Sequence, residues 1–275
     1  MSLNLIQGNA MDPKIYPPFH SVDLILFDPP FIPKIHTYEQ RNRHKDKMTG
    51  KWVPPKNKLE AIPTPPIEDY GDFWNALCWE CLKCLKPSGW FIFKTDDITY
   101  GETYGLMKRY MDFFRRVIIW DKKMYGIGTG IRNQHETMVV YRPYDHETSY
   151  FEKPTDYSSV QYITYYPEDS MIEMLVHPNF NRGRFGKTKQ QDHINQTPRE
   201  VWEPIIQQFC PPNGVILDPT MGSGSVGLAV KSLNKNGVKR SYLGIELMPP
   251  FYTMAKNSLF PETILTNLTK QKVIL

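Results

Sequence analysis

Val22-Asp23-Leu24-Ile25-Leu26-Phe27, followed at once by Asp28-Pro29-Pro30-Phe31, is the stretch on which the reading of the fold turns. A short, nearly continuous apolar run reads as a strand buried on both faces, the kind found in a mainly parallel sheet covered by helices. The two prolines end it, because neither can donate to a neighbouring strand. Its carboxyl end therefore carries a carboxylate, a carbonyl on restrained backbone and an aromatic ring. That set suits an exocyclic amino group on a planar base, whose nitrogen is a poor nucleophile because its lone pair is delocalised into the ring. If Asp28 and the Pro29 carbonyl accept the two amino hydrogens, the nitrogen is drawn toward tetrahedral geometry and its lone pair is freed. Phe31 would hold the base by stacking.

A second motif lies near the other end of the chain. Gly214-Val215-Ile216-Leu217-Asp218-Pro219-Thr220-Met221-Gly222-Ser223-Gly224-Ser225 reads as a buried strand, a tight glycine turn and a helix start, with Ser225 in the capping position. Glycines there let backbone approach a ligand closely, at the strand end where open α/β sheets bind nucleotides. Ser241-Tyr242-Leu243-Gly244-Ile245-Glu246-Leu247 then reads as a strand ending in an acid placed to accept from ribose hydroxyls. A glycine turn alone is weak evidence; the three features together are specific.

Together these residues resemble the beta class of amino-directed DNA methyltransferases, which use S-adenosylmethionine. That class places a D-P-P-[YF] tetrapeptide first, a target-recognition region in the middle and a D-P-x-x-G-S-G motif last, and the order here is the same. The resemblance covers most of the chain. It extends to Leu5-Ile6-Gln7-Gly8-Asn9-Ala10 before the tetrapeptide, to Leu85 through Phe93 after it, and to His193-Ile194-Asn195-Gln196-Thr197-Pro198 before the cofactor half. It implies an α/β Rossmann-like methyltransferase fold, with a mainly parallel seven-stranded sheet, an antiparallel closing strand, helices on both faces and a circularly permuted motif order. Residues 1–275 would form one catalytic domain, with 34–66 a basic substrate-contacting loop and 142–192 the target-recognition region.

The resemblance also assigns roles. Asp28, Pro29, Pro30 and Phe31 would be catalytic. The cofactor would be held by Asn9, Ala10, Asp28, His193, Gln196, Thr197, Asp218, Pro219, Thr220, Gly222, Ser223, Gly224, Ser225, Glu246 and Leu247. Asp218, Gly222 and Gly224 would line its methionine end, Glu246 its ribose and Asn9 its adenine side. The sequence departs from the usual pattern at Asn9, where relatives have an acid, at Thr197, where Lys is frequent, and at Thr220, where Phe or Tyr is common. Asp rather than Ser in the tetrapeptide is typical of members acting on adenine N6. Cytosine N4, adenine N6 in RNA, and a catalytically inactive nucleic-acid-binding subunit of the same fold remain alternatives.

The charge of the chain is local. Residues 34–58 hold eight Lys or Arg against two acids, and 174–191 hold four against none, so with a formal net charge of +4 the remainder is acidic. Lys34, Arg41, Arg43, Lys45, Lys47, Arg182, Arg184, Lys187 and Lys189 are therefore the expected contacts to nucleic-acid phosphates. Solvated lysine-rich loops give the same composition. The first cluster directly follows the tetrapeptide, which favours the phosphate reading.

At 275 residues the chain is long enough for one large α/β domain. No signal peptide or bilayer-length apolar run is visible, which leads to the expectation of a cytoplasmic protein without a membrane partner; whether it forms a homodimer stays open. Cys78, Cys81 and Cys84 have a spacing compatible with a metal cluster, yet on a helix they mix with Leu77, Leu82 and Leu85 and read as small core residues. No metal is expected. His135-Glu136 reads as structural rather than as a metal pair.

Overall fold

Alternation along each central strand sends successive side chains to two helical layers, and this builds the core. The computed structural model describes residues 2–30, 44–45, 52–53, 70–110, 114–121, 135–143, 174–176 and 197–261. The strands are β1 (Leu3–Gln7), β2 (Val22–Phe27), β3 (His44–Lys45), β4 (Trp52–Val53), β5 (Leu85–Thr95), β6 (Phe114–Asp121), β7 (His135–Arg142), β8 (Met174–Val176), β9 (Val215–Asp218) and β10 (Ser241–Glu246). The helices are α1 (Tyr70–Cys84), α2 (Asp97–Met107), α3 (Arg199–Phe209), α4 (Ser225–Lys235) and α5 (Pro249–Leu259).

The main sheet has the order β1-β10-β9-β2-β5-β7-β6-β8. Every neighbouring pair is parallel except those made by β7, which is antiparallel to both β5 and β6. The antiparallel strand of the expected fold is thus present. The sheet has eight described strands rather than seven, because β8 pairs with β6 through Ile119 and Met174. Three residues are too few to show a period, so β8 was invisible inside 142–192. Likewise 34–66, read as a loop, contains the two-residue pair β3–β4.

Leu24, Leu26, Trp90 and Ile92 fall in one core cluster with Val201, Trp202, Ile205, Ile206 and Phe209 of α3 and Val226, Ala229 and Val230 of α4. Ile25, Phe27, Phe91 and Phe93 fall in the other, with Trp74, Leu77, Cys78 and Cys81 of α1. Helices therefore cover both faces, and burying these apolar surfaces is the main driving force for the layering. All four cysteines are buried. The Cys78 thiol donates to Met107 Sδ at 3.2 Å and that of Cys84 to the Cys81 carbonyl at 3.1 Å, so the three-residue spacing serves packing. Among the described residues no group of side chains is arranged to hold a metal ion, and no helix is long and apolar enough to cross a membrane.

The helix starts are set by their caps. α2 runs Asp97–Met107, because the Asp96 carboxylate accepts from the Thr99 N–H at 2.8 Å and caps it. α3 starts at Arg199, with Pro198 as its cap. Ser225 does not cap α4. Gly224, with φ of 85°, stands at the cap, and the Ser225 hydroxyl instead accepts from the Trp202 indole at 3.0 Å, tying α4 to α3.

Candidate active site at the carboxyl edge of the sheet

Parallel strands end at one edge, so the acid that ends β2, the glycine turn after β9 and the acid that ends β10 emerge together. β2 and β9 are direct neighbours in the sheet although the two motifs stand 192 positions apart along the chain. The Thr220 hydroxyl donates to the backbone carbonyl of Asp28 at 3.3 Å, which joins the glycine turn to the D-P-P segment. The Thr197 hydroxyl donates to Asp28 Oδ2 at 3.2 Å. Two of the three positions that depart from the usual pattern therefore place threonine hydroxyls on the same aspartate.

Asp28 has a third partner. The Lys94 ammonium, from the end of β5, lies 2.9 Å from Asp28 Oδ2, with a lysine side chain only 5% exposed and an aspartate side chain 29% exposed. Lys94 also pairs with Glu136 of β7, and its ammonium lies 5.8 Å from the centroid of the Trp120 ring. Burial raises the Asp28 carboxyl above its ordinary value; Lys94 opposes that rise and Glu136 adds to it. For Lys94 burial alone would act downward, but the two carboxylates outweigh it and hold the ammonium charged. Among the described residues no contact falls on Asp28 Oδ1. The Pro30 carbonyl accepts from the Tyr70 hydroxyl at 2.9 Å, whereas no described donor takes the Pro29 carbonyl.

On the glycine side, Gly222 has φ of 55° and Gly224 of 85°, conformations that side chains other than glycine rarely adopt. A Cβ on Gly224 would lie 3.0 Å from that of Ala255, while one on Gly222 would meet nothing within 4 Å. Gly222 therefore faces open space. Glu246 Oε2 accepts from the Gly222 N–H at 2.9 Å and Oε1 from the Met248 N–H at 2.7 Å. Burial raises the Glu246 carboxyl, and these N–H groups partly counter it.

Asp218 faces inward. It is 1% exposed and accepts from the Tyr242 hydroxyl at 3.1 Å and the Thr220 N–H at 3.3 Å, contacts that brace the turn; burial pushes its carboxyl well up. The Tyr242 hydroxyl passes close to Gly244, where a Cβ would lie 2.6 Å from it, and its ring passes Gly227, where a Cβ would lie 2.8 Å from Cε1. Tyr242→Phe removes this donor and leaves a buried carboxylate short of a partner. The expected loss is about 1–3 kcal/mol of folding stability, read as a lower urea midpoint at unchanged slope.

The remaining expected cofactor residues lie around this edge. Asn9 is exposed after β1, where its Oδ1 accepts from the Met11 N–H at 3.0 Å, and the next residue, Ala10, is buried. Pro219 and Ser223 are buried in the turn, Ser225 is buried at the start of α4, and Leu247 is 48% exposed beside Glu246. Phe31, His193, Gln196, Lys34, Arg41, Arg43, Lys47, Arg182, Arg184, Lys187 and Lys189 lie outside the described residues, and Lys45 is described only as a backbone position in β3. Lys94 is the site residue that sequence reasoning missed; Glu136 was noticed only as structural.

A family described as DNA methylase, of the N6/N4 type, matches residues 22–257, which takes in both motifs. The chain belongs to this family. As a DNA methylase it is 24% identical over 265 residues to the type II methyltransferase M.HinfI of Haemophilus influenzae, covering 93% of this chain and 67% of that protein. TTHA0409 from Thermus thermophilus, in complex with S-adenosylmethionine, superposes with a TM-score of 0.58 at 20% identity, over 94% of each chain. The cytosine-N4-specific PvuII DNA methyltransferase does so with a TM-score of 0.60 at 16% identity, over 93% of this methylase and 86% of that one. The two structural likenesses establish the Rossmann-like methyltransferase fold.

Proposed function

We propose that this DNA methylase transfers a methyl group from S-adenosylmethionine to the exocyclic N6 amino group of adenine in DNA. The observation that carries the reading is the convergence on Asp28: a carboxylate whose Oδ1 meets no partner among the described residues stands hydrogen-bonded, through its own backbone carbonyl and Thr220, to a glycine turn with room beside Gly222 among those residues. The turn fits the cofactor. Gly222 leaves room where a side chain would stand, and the Glu246 carboxylate, with roughly four lone-pair sites, retains acceptors for ribose hydroxyls beyond the two N–H groups it already holds. When bound, the sulfonium supplies an electrophilic methyl carbon.

The protein's part is alignment and charge. An amino group paired within a duplex is out of reach, so the target nucleotide must swing out of its stack. Asp28 Oδ1 and the Pro29 carbonyl would take the amino hydrogens, orient the nitrogen and offset positive charge developing on it. Phe31 would stack on the ring. The proton is then lost to solvent. The basic residues of 34–58 and 174–191 would hold the phosphates. Asp rather than Ser at position 28 supports adenine over cytosine. Incubation with labelled S-adenosylmethionine and duplex DNA, followed by nucleoside analysis, tests the reading: label in N6-methyladenine is the expected result, and label confined to N4-methylcytosine would replace it.

A further inference from the structure

Lys94 stands where strand alternation sets it. Phe27 of β2 is in register with Phe93 of β5, so the next residue on each strand, Asp28 and Lys94, emerges at the same edge and on the face covered by α3 and α4. The ammonium is closed in by Asp28 at 2.9 Å, by Glu136 and by the Trp120 ring, with 5% of the side chain exposed. A lysine so enclosed is not one of the phosphate-binding residues of the surface. Removing a lysine and two carboxylates from water is costly, and such networks contribute little to stability against an apolar replacement. Its place beside the reacting position points to a task in the chemistry.

We propose that Lys94 is a positioning residue for methyl transfer, holding Asp28 as a carboxylate with Oδ2 anchored and Oδ1 presented to the amino group. This rests on the reading of Asp28 as the amino-group acceptor. Among the described residues, the charged groups that bear on Asp28 are Lys94 from β5, Glu136 from β7 and Asp218 from β9, while Thr197 contributes a neutral hydroxyl. One ammonium therefore balances three acids. Without it, burial and the two neighbouring acids all drive Asp28 toward its neutral form. A protonated Asp28 would offer a donor where an acceptor is required, and its Oδ2 would be left anchored by the neutral Thr197 hydroxyl alone.

The activity depends on the ionised form, so it is lost as pH falls through the Asp28 pKa, and removing Lys94 must move that acid limb upward. Single-turnover methylation of duplex DNA by labelled S-adenosylmethionine is to be followed from about pH 5 to 9 in the wild type, Lys94→Met and Lys94→Arg. In Lys94→Met the acid limb is expected to rise by about one unit, a tenfold change in ionisation, with cofactor binding by calorimetry retained. Lys94→Arg, which keeps the charge, should return the limb toward the wild type. A uniform loss at every pH in Lys94→Met, with the limb unmoved, would mean a packing role and overturn the proposal. Should thermal melting show that Lys94→Met does not fold, Glu136→Gln decides: it removes a carboxylate that raises Asp28, so its limb should fall to lower pH, and an unmoved or raised limb overturns the proposal. A wild type that methylates no base would instead remove the underlying reading of Asp28.

Discussion

Asp28→Ala is expected to slow methyl transfer roughly a thousandfold, the upper range for removing one group that stabilises developing charge in a closed site, while affinity for S-adenosylmethionine changes little. The separation follows from the contacts. The bond that ties the D-P-P segment to the glycine turn runs from Thr220 to the backbone carbonyl of Asp28, and alanine keeps that carbonyl. Gly222 is held by Glu246 and not by Asp28, so the turn keeps its shape. Lys94 stays paired with Glu136, which limits the penalty of leaving a buried ammonium behind. What disappears is the carboxylate proposed to accept the amino hydrogen. Asp28→Asn keeps one acceptor oxygen but brings an NH2 group among Lys94, Thr197 and the substrate amino group, all of them donors, and it should fall near alanine in rate. The check is label incorporated into nucleosides alongside cofactor calorimetry, and equal turnover in Asp28→Ala would remove the assigned role.

The features that local pattern encodes were legible in the sequence. The apolar run of β2 ending in Asp28 and the strand, glycine turn and helix around Gly222 were each visible from composition and spacing. A parallel sheet brings their ends to one edge. The sheet order depends on pairings of long reach, such as Leu3 with Tyr242, for which no local signal exists. The same holds for the hydroxyls of Thr197 and Thr220, which find Asp28 across 169 and 192 positions. Read locally, they looked only like departures from a pattern.

Lys94 marks the boundary between the two cases. A lysine following an apolar run reads as the first solvated residue. β5 in fact continues to Thr95, and alternation over Trp90, Ile92 and Lys94 sends the ammonium to the same face as Leu24, Leu26 and Asp28. Extending the period by one residue would have placed it there. Its burial could not be read in the same way, because Glu136 joins it from 42 positions further on and Trp120 from a third strand.

Glu246→Ala should weaken S-adenosylmethionine binding by roughly 10–100-fold, as expected for losing hydrogen bonds to a charged group worth about 1.5–3 kcal/mol. Its carboxylate joins two loops, with Oε2 on the Gly222 N–H and Oε1 on the Met248 N–H, where α5 begins. The loss therefore combines missing ribose acceptors with a loosened turn. Glu246→Gln separates this geometry from simple charge. Both carboxylate oxygens face N–H donors, so an amide must set its NH2 against one of them whichever way it turns, and the conservative replacement should recover little of the affinity. Binding is also expected to depend on pH with a definite sign. Burial lifts the Glu246 carboxyl above its ordinary range, and the ionised form is the one that accepts from Gly222 and Met248 and, on the proposed reading, would accept from the ribose. Affinity should therefore fall as pH drops through that raised pKa, and the fall should vanish in Glu246→Ala. Calorimetric titration of wild type and both variants across mildly acidic pH checks each step, and a wild-type affinity indifferent to pH, or a glutamine variant that binds as the wild type does, would show that this carboxylate does not hold the cofactor.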